Sequence, residues 1–468
     1  MRREALVLAL LIGGCTLGPD YRRPALDLPE TLRGADPAAS GDSVADQTWW
    51  GMYGDPTLRE LIATALRNNL DLKSAVARID EARAVLRQSQ LALAPTIDAN
   101  GTLGRTEYSE DVLLPGEPRL ANAEQLSISA SYEIDFWGRL RRTKEAARAS
   151  MLSSQYAQRA VTVTLVADVA SGYFSLLSLD SQLEITHRTV DTREKFVALT
   201  RAQHDRGYAT GLDVATAEAQ AALARANVPE LERQIGQTED QICVLLGENP
   251  HPIERTHRGE QMPPVPPLPP AGLPSALLER RPDIRAAEEA LRAANANVGV
   301  AKAALFPTIS LTGLAGSLSS PLGQLFSAST SEWSVAAGLV QPLLDPQRSI
   351  FQLELADARK REALFQYEKS VQTAFQEVAD ALIAYVKYDD FQREQVIQVE
   401  ALRRAEAIAL ARYRIGYASY FDVINADRDL FVAELSLSQA YANGLTTLVR
   451  LYEVLGGGWQ AVAGQAPP

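Results

Sequence analysis

Residues 347–415 read QRSIFQLELADARKREALFQYEKSVQTAFQEVADALIAYVKYDDFQREQVIQVEALRRAEAIALARYRI, with neither proline nor glycine. At 1.5 Å per residue, a helix of that many residues is roughly 100 Å long. Helices in globular domains mostly run three or four turns, so the stretch predicts a rod. Asp345 as N-cap and Pro346 at the first helical position mark its start. Apolar residues recur at three- and four-residue spacing (Leu364, Tyr367, Val371, Phe375, Val378, Leu382, Tyr385), which is a seam for packing against other helices. The other faces are rich in Glu, Gln, Arg and Ala, as suits a wall wetted on both sides.

Working outward, the rod proves to be the second of two. Residues 139–206 contain only Gly172 as a helix breaker. Both rods end in one motif: Gly207-Tyr208-Ala209-Thr210-Gly211-Leu212-Asp213-Val214 recurs as Gly416-Tyr417-Ala418-Ser419-Tyr420-Phe421-Asp422-Val423, 209 residues later. Upstream, Ala92-Leu93-Ala94-Pro95-Thr96-Ile97 recurs as Ala304-Leu305-Phe306-Pro307-Thr308-Ile309, and Asp71 as Asp283, at an offset of 212. Two unrelated blocks in one order at a near-constant offset mean duplication. Each half predicts a helix stopped near a proline (57–94; 275–306), two strands with a polar loop between them, the rod, and a returning helix (212–246; 421–455). The turns at Gly207 and Gly416 make each rod and its return a long helical hairpin.

The strand candidates alternate polar and apolar: every odd residue of 127–135 is polar and every even one apolar, and 308–312, 333–339 and, more loosely, 96–104 follow suit. Such strands fit a half-solvated sheet or a membrane barrel with a polar lumen, and periodicity alone leaves both open. Four strands cannot close a conducting barrel, whereas three chains giving four each make twelve.

The N-terminus carries Arg2 and Arg3, a short apolar core, then Leu11-Ile12-Gly13-Gly14-Cys15. This resembles a secretory signal ending in a lipoprotein box, with Cys15 as first mature, lipid-bearing residue and Thr16 favouring outer-membrane sorting. Cys243 then has no partner and is expected to be a small buried apolar residue, with no disulfide framework or zinc spacing. The formal charge is −12, and loss of the signal's two cations and one anion takes it to −13, which argues against nucleic acid as a partner. No later apolar run of about 18 residues stands out, so a membrane crossing would need a closed barrel. His187, His204, His251 and His257 lack metal-ligand spacing and no nucleophile motif appears, so neither enzyme activity nor a cofactor or metal is expected.

Five further pieces in order carry a resemblance: Gly18-Pro19-Asp20-Tyr21 with Pro24; Trp49-Trp50 with Asp55-Pro56 and Leu58; Arg280-Arg281-Pro282-Asp283-Ile284; Ala301-Lys302-Ala303-Ala304-Leu305-Phe306-Pro307; and Leu455-Gly456-Gly457-Gly458-Trp459. Over nearly the whole mature chain the sequence resembles the TolC-like outer-membrane factors, lipoprotein branch. The resemblance implies a mostly α fold with a small membrane β-barrel: a homotrimer whose twelve strands continue into a long α-helical barrel. It implies a lipid-anchored outer-membrane protein extending into the periplasm, a passive exit duct for drugs, toxic compounds or metal ions. Its partners would be a periplasmic adaptor and an inner-membrane transporter of RND type. A periplasmic lipoprotein adaptor and a type I secretion exit channel are the alternative readings; an adaptor would show one hairpin and not two. On this reading the chain divides into a signal (1–14), a lipidated equatorial segment (15–56), the first repeat (57–249), a proline-rich connector (250–274), the second repeat (275–456) and a tail (457–468).

In such channels the hairpin turns converge into a periplasmic gate. The resemblance places Asp213 at the first turn and Tyr413, Phe421, Asp422, Asn425 and Arg428 around the second. An acidic residue repeated by threefold symmetry forms a ring that repels itself. Asp213 and Asp422 also read as helix N-caps after the glycine turns. Ala418 and Asn425 stand where some relatives have arginine and aspartate, so the locking contacts of those relatives do not carry over.

Overall fold

A computed structural model describes residues 16–457 apart from 30, 35–48, 110, 112, 114–117, 256–265, 267–273 and 342–345. The signal, Cys15, the Asp345 cap and most of the proline-rich connector lie outside the described residues. The helices are α1 (Pro56–Asn68), α2 (Leu70–Leu91), α3 (Arg139–Asp205), α4 (Gly211–Leu246), α5 (Pro274–Arg280), α6 (Pro282–Ala303), α7 (Pro346–Arg414) and α8 (Tyr420–Val454). The strands are β1 (Thr96–Glu107), β2 (Leu120–Ile134), β3 (Thr308–Ser319) and β4 (Ser331–Val340). The expected class, mostly α with four strands per chain, is observed, and α3 and α7 have 67 and 69 residues.

Each helix expected before a proline is two helices. Between α1 and α2, Asn69 takes an extended conformation; its side chain accepts from Leu72 N–H at 2.9 Å and donates to the Leu245 carbonyl at 3.0 Å. Asparagine thus caps one helix while leaving another, a role with no proline or glycine to announce it. Between α5 and α6 the break falls at Arg281, the residue before Pro282, where ring sterics disfavour helix. All four strands run longer than expected, through stretches such as 120–126 and 313–319 where the alternation of polar and apolar residues is broken.

The chain forms two compact units, each drawing on both halves of the duplication. One comprises residues 26–76, 156–285 and 369–468 and holds the main hydrophobic core. Trp49 stacks on Tyr452 with centroids 5.3 Å apart, and buried Asp55 caps α1 through Thr57 and Leu58 N–H while accepting from the Tyr173 hydroxyl at 2.7 Å. Gly172 permits close helix approach, since a Cβ there would lie 3.1 Å from Ile242 Cγ1. Val371, Val378 and Leu382 of the expected α7 seam are buried, as is Tyr367 in the other unit, and so is Cys243, whose thiol burial pushes up and which contacts the His251 carbonyl at 3.3 Å. One 18-residue window of α3 is apolar enough to cross a membrane, contrary to expectation; interleaved Ser and Thr hid it. It is 61 % buried inside the fold, as befits a core helix.

The other unit, residues 1–25, 77–155 and 286–368, contains the sheet. Its order is β1-β2-β3-β4, every pair antiparallel. The β2–β3 pairing joins the two halves of the duplication, with Ile128 opposite Ala315 and Tyr132 opposite Leu311.

Candidate functional site: a two-faced sheet and paired hairpin turns

Register decides what the sheet presents. Ile97 lies opposite Ala130, Ala99 opposite Ile128, Ile309 opposite Leu339, Gly313 opposite Val335 and Ala315 opposite Trp333. Because side chains alternate along a strand, one face collects these apolar residues with Leu103, Leu126 and Leu311. The other collects Asp98, Asn100, Ser127, Ser129, Ser131, Ser310, Thr312, Glu332 and Ser334. Trp333 is 79 % exposed, Val335 76 % and Ile97 72 %, so nothing among the described residues covers this part of the apolar face. Such a face is costly in water and favourable against hydrocarbon. The outer edges of β1 and β4 pair with no strand of this chain among the described residues.

Below the strands, α6 has two distinct faces. Residues 290, 294, 297 and 301 recur at helical spacing along a groove of about 760 Å³ that is also lined by Ala304 just after the helix, Arg139 of α3 and Arg359 of α7. Residues 288, 292, 295 and 299 lie on the opposite face. The groove is lined mostly by small side chains, with Arg139 and Arg359 as its charged residues.

The two hairpin turns are built alike. Gly207 and Gly416 both adopt φ +80°, with no atom within 4 Å of where a Cβ would stand. The N-caps are Thr210 and Ser419, and Asp213 and Asp422 are not caps but the third helical residues of capping boxes. Asp213 accepts from Thr210 N–H and Oγ1 at 2.8 and 2.7 Å, and Asp422 from Ser419 N–H and Oγ at 2.9 and 2.8 Å. Those Ser419 donors hold the Asp422 carboxyl below its ordinary value. Tyr208, Leu212, Tyr417 and Phe421 stand exposed around the turns.

The hairpins are joined by contacts of graded polarity. The Tyr413 hydroxyl donates to Gln203 Oε1 at 2.5 Å, and its ring lies 5.8 Å from Tyr420, which packs 6.1 Å from Phe196. Burial pushes Tyr420 up to about 12; it also raises Tyr413, where Asp213 adds to the effect. Farther from the turns, Arg193 of α3 pairs with Asp427 of α8 at 2.8 Å, their side chains 3 % and 16 % exposed, and donates to the Gln220 carbonyl of α4 at 3.0 Å. Seven residues along α8, buried Glu434 accepts from Arg188 of α3 at 2.6 Å and Arg403 of α7 at 2.7 Å. Burial raises Asp427, with Arg193 pulling the other way, and raises Glu406 with help from Asp427 and Glu434.

The sequence profile of the outer membrane efflux protein family matches residues 61–248 and 273–457. The chain belongs to that family. It is 36 % identical over 470 residues to the toluene efflux pump outer membrane protein TtgC of Pseudomonas putida, covering 98 % of this chain and 96 % of the relative. It has the same identity and coverage with the antibiotic efflux pump outer membrane protein ArpC of Pseudomonas putida. In three dimensions it is similar to the open state of the Neisseria gonorrhoeae MtrE outer membrane channel, with TM-score 0.84, 31 % identity and coverage of 95 % and 99 %. As an outer membrane efflux protein the chain is an exit duct, as its motifs implied.

Of the residues expected around the gate, Tyr413 donates a hydrogen bond from one hairpin to the other. Asp213 and Asp422 are engaged within their own turns, Phe421 is exposed, and Asn425 is half-buried. Arg428 bonds Asp429, its neighbour on α8, at 3.0 and 3.1 Å, and so does not itself bridge the hairpins. The residues that do, Arg188, Arg193, Gln203, Asp427 and Glu434, went unnoticed in the sequence. A charged residue on a long polar helix looks solvated, and its only signal here is the heptad spacing of Asp427 and Glu434. Among the described residues no cluster of three or more His, Cys, Asp or Glu forms a metal site.

Proposed function

We propose that this efflux protein works as a passive, homotrimeric duct and not as an enzyme. Three copies close β1 against β4 of the next, making a twelve-stranded barrel with the apolar face towards lipid. Cys15 carries the lipid anchor at the outer membrane. A periplasmic adaptor and an inner-membrane transporter, of RND type, deliver small molecules to the hairpin end. Drugs, organic solvents and toxic compounds fit the names of the relatives. The observation that carries the reading is the uncovered apolar face between two unpaired edges: association of copies removes both liabilities at once. The gate is placed at the two turns, with Asp213, Tyr413, Phe421, Asp422, Asn425 and Arg428 around it. There Arg428 offsets the repulsion among acidic residues brought together by threefold symmetry.

Planar-bilayer recording of the purified protein tests this. Wild type is expected to insert with low conductance, and Arg428→Ala or Arg428→Glu to conduct more. Arg119→Glu, beside Glu107 near the β1–β2 loop, is expected to leave the closed state alone. Equal conductance in wild type and both Arg428 variants would remove that residue from the gate, and no conductance from any of them would remove the duct.

A further inference from the structure

The apolar face of the sheet is marked at both ends. At the end nearest the helices, Phe136 lies 4.8 Å from Trp137, which stacks on Phe306 at 4.6 Å and donates its indole N–H to the Pro307 carbonyl at 2.8 Å. Aromatic rings with a polar handle belong at a membrane–water interface. Beyond that layer the face runs apolar from Ile134, Ile309 and Leu339 to Leu126 and Leu103.

Then its chemistry changes. Glu124 lies opposite Leu103 on one side and Ser319 on the other, Arg105 lies opposite Asn122, and Glu107 opposite Leu120. Because side chains alternate along a strand, Arg105, Glu107, Asn122 and Glu124 continue the face of Leu103 and Leu126. Asn122 is twelve positions along β2 from Ile134. At about 3.4 Å per residue and a tilt of about 40°, that separation is about 31 Å across a membrane. The hydrocarbon of a bilayer is about 30 Å thick, so the row of Arg105 and Asn122 falls where headgroups begin.

Arg105 is the cation of this row that lacks an acid. It is exposed and makes no ion pair with Asp111, Glu124 or any other described residue, while Glu107 is engaged by Arg119 at 3.1 Å. A neighbouring copy closed against β1 brings no acid from its edge strand. The residues of β4 on this face are Ser331, Trp333, Val335, Ala337 and Leu339, and the β3–β4 connection, 320–330, contains no charged residue. An unpaired guanidinium among headgroups suits a phosphate, to which it can donate two parallel N–H bonds. Asn122 opposite it and the Glu124 carboxylate diagonal to it supply acceptors for hydroxyl groups.

We propose that Arg105 seats the phosphate of a glycolipid headgroup in the outer leaflet, with Asn122 and Glu124 receiving the sugar hydroxyls. The proposal rests on the reading of the apolar sheet face as lipid-facing. It gives each chain one seat, on the edge strand that closes the barrel.

Native mass spectrometry of the full protein in detergent, titrated with diphosphorylated lipid A, its dephosphorylated form or phosphatidylglycerol, tests this. Wild type is expected to bind the diphosphorylated lipid at least about tenfold more tightly than either of the others. Arg105→Gln is expected to lose most of that preference, and Arg105→Lys, which keeps the charge, to bind more tightly than Arg105→Gln. Arg119→Gln, at a cation already paired, is expected to bind like wild type. Equal affinity of wild type and Arg105→Gln would overturn the seat, and phosphatidylglycerol bound as tightly as lipid A would overturn the glycolipid as its occupant. The underlying reading has its own measurement in vesicles of brominated phosphatidylcholine. Wild type should lose more tryptophan emission to quenching than Trp333→Phe, and equal quenching of the two would overturn the lipid-facing assignment whatever lipid A binds.

Discussion

Gly207 and Gly416 show how a single backbone angle serves a long-range purpose. Both lie in the left-handed region, which costs a residue with a Cβ about 1–2 kcal/mol, and nothing crowds the missing Cβ. Gly207→Ala and Gly416→Ala should each lower stability by about 1 kcal/mol through conformation alone, measurable as a fall in apparent Tm. Ser419→Ala should cost a similar amount, about 1 kcal/mol, by leaving first-turn N–H groups unsatisfied. Asp422 acts with Ser419: its lowered carboxyl contributes stability above the ordinary aspartate value of 3.8, lost as pH falls through the still lower folded value. The capping roles were half legible. The glycine turn announced a helix start, but the cap is Thr210, three residues before the expected Asp213.

At the scale of elements, the hairpins meet along a seam whose polar contacts are buried. Arg193→Ala would leave Asp427 buried without its cation, and breaking such a pair costs about 3–5 kcal/mol. Thermal unfolding of the variant in detergent should show the loss, while Arg233→Ala, at an exposed pair within α4, should show almost none. Asp427 and Glu406 are raised in the folded chain, so protonation favours the fold. Their contribution is full below the ordinary values of 3.8 and 4.5 and is lost as pH rises through the raised folded values. Asp427→Asn should flatten that part of the pH dependence; an unchanged profile would take Asp427 out of the titration. The same scale explains the helix breaks, since Asn69 serves Leu72 and the Leu245 carbonyl at once and no local pattern encodes that double use.

At the scale of the molecule, the sheet is apolar on one face, polar on the other and, among the described residues, open at both edges. Val335→Arg should cost about 2–4 kcal/mol on insertion by placing a cation against lipid, whereas Ser334→Arg, one residue away on the polar face, should insert normally. Recovery of folded protein from liposomes distinguishes them, and equal insertion of both would reverse the assignment of the faces. Light scattering in detergent should give three times the mass of the mature chain; a stable monomer with a protected sheet would contradict closure between copies.

The duplication, the two rods and their glycine turns were legible in residues 139–206 and 347–415, because absence of breakers and a repeated motif are local properties that survive any packing. The strands were legible in outline, since alternation is a property of the strand itself. That their apolar residues share one face required the register between β1, β2, β3 and β4, which no strand contains. Arg193 with Asp427, Glu434 between two arginines, and the seating of Gly18 on Gly299 appeared only in three dimensions. Except for Arg403 with Glu434, such contacts join residues more than two hundred positions apart, and a charged or glycine residue looks the same in sequence whether it is solvated or buried. What makes these pairs count is desolvation and close approach, and both are set by the neighbours that folding supplies.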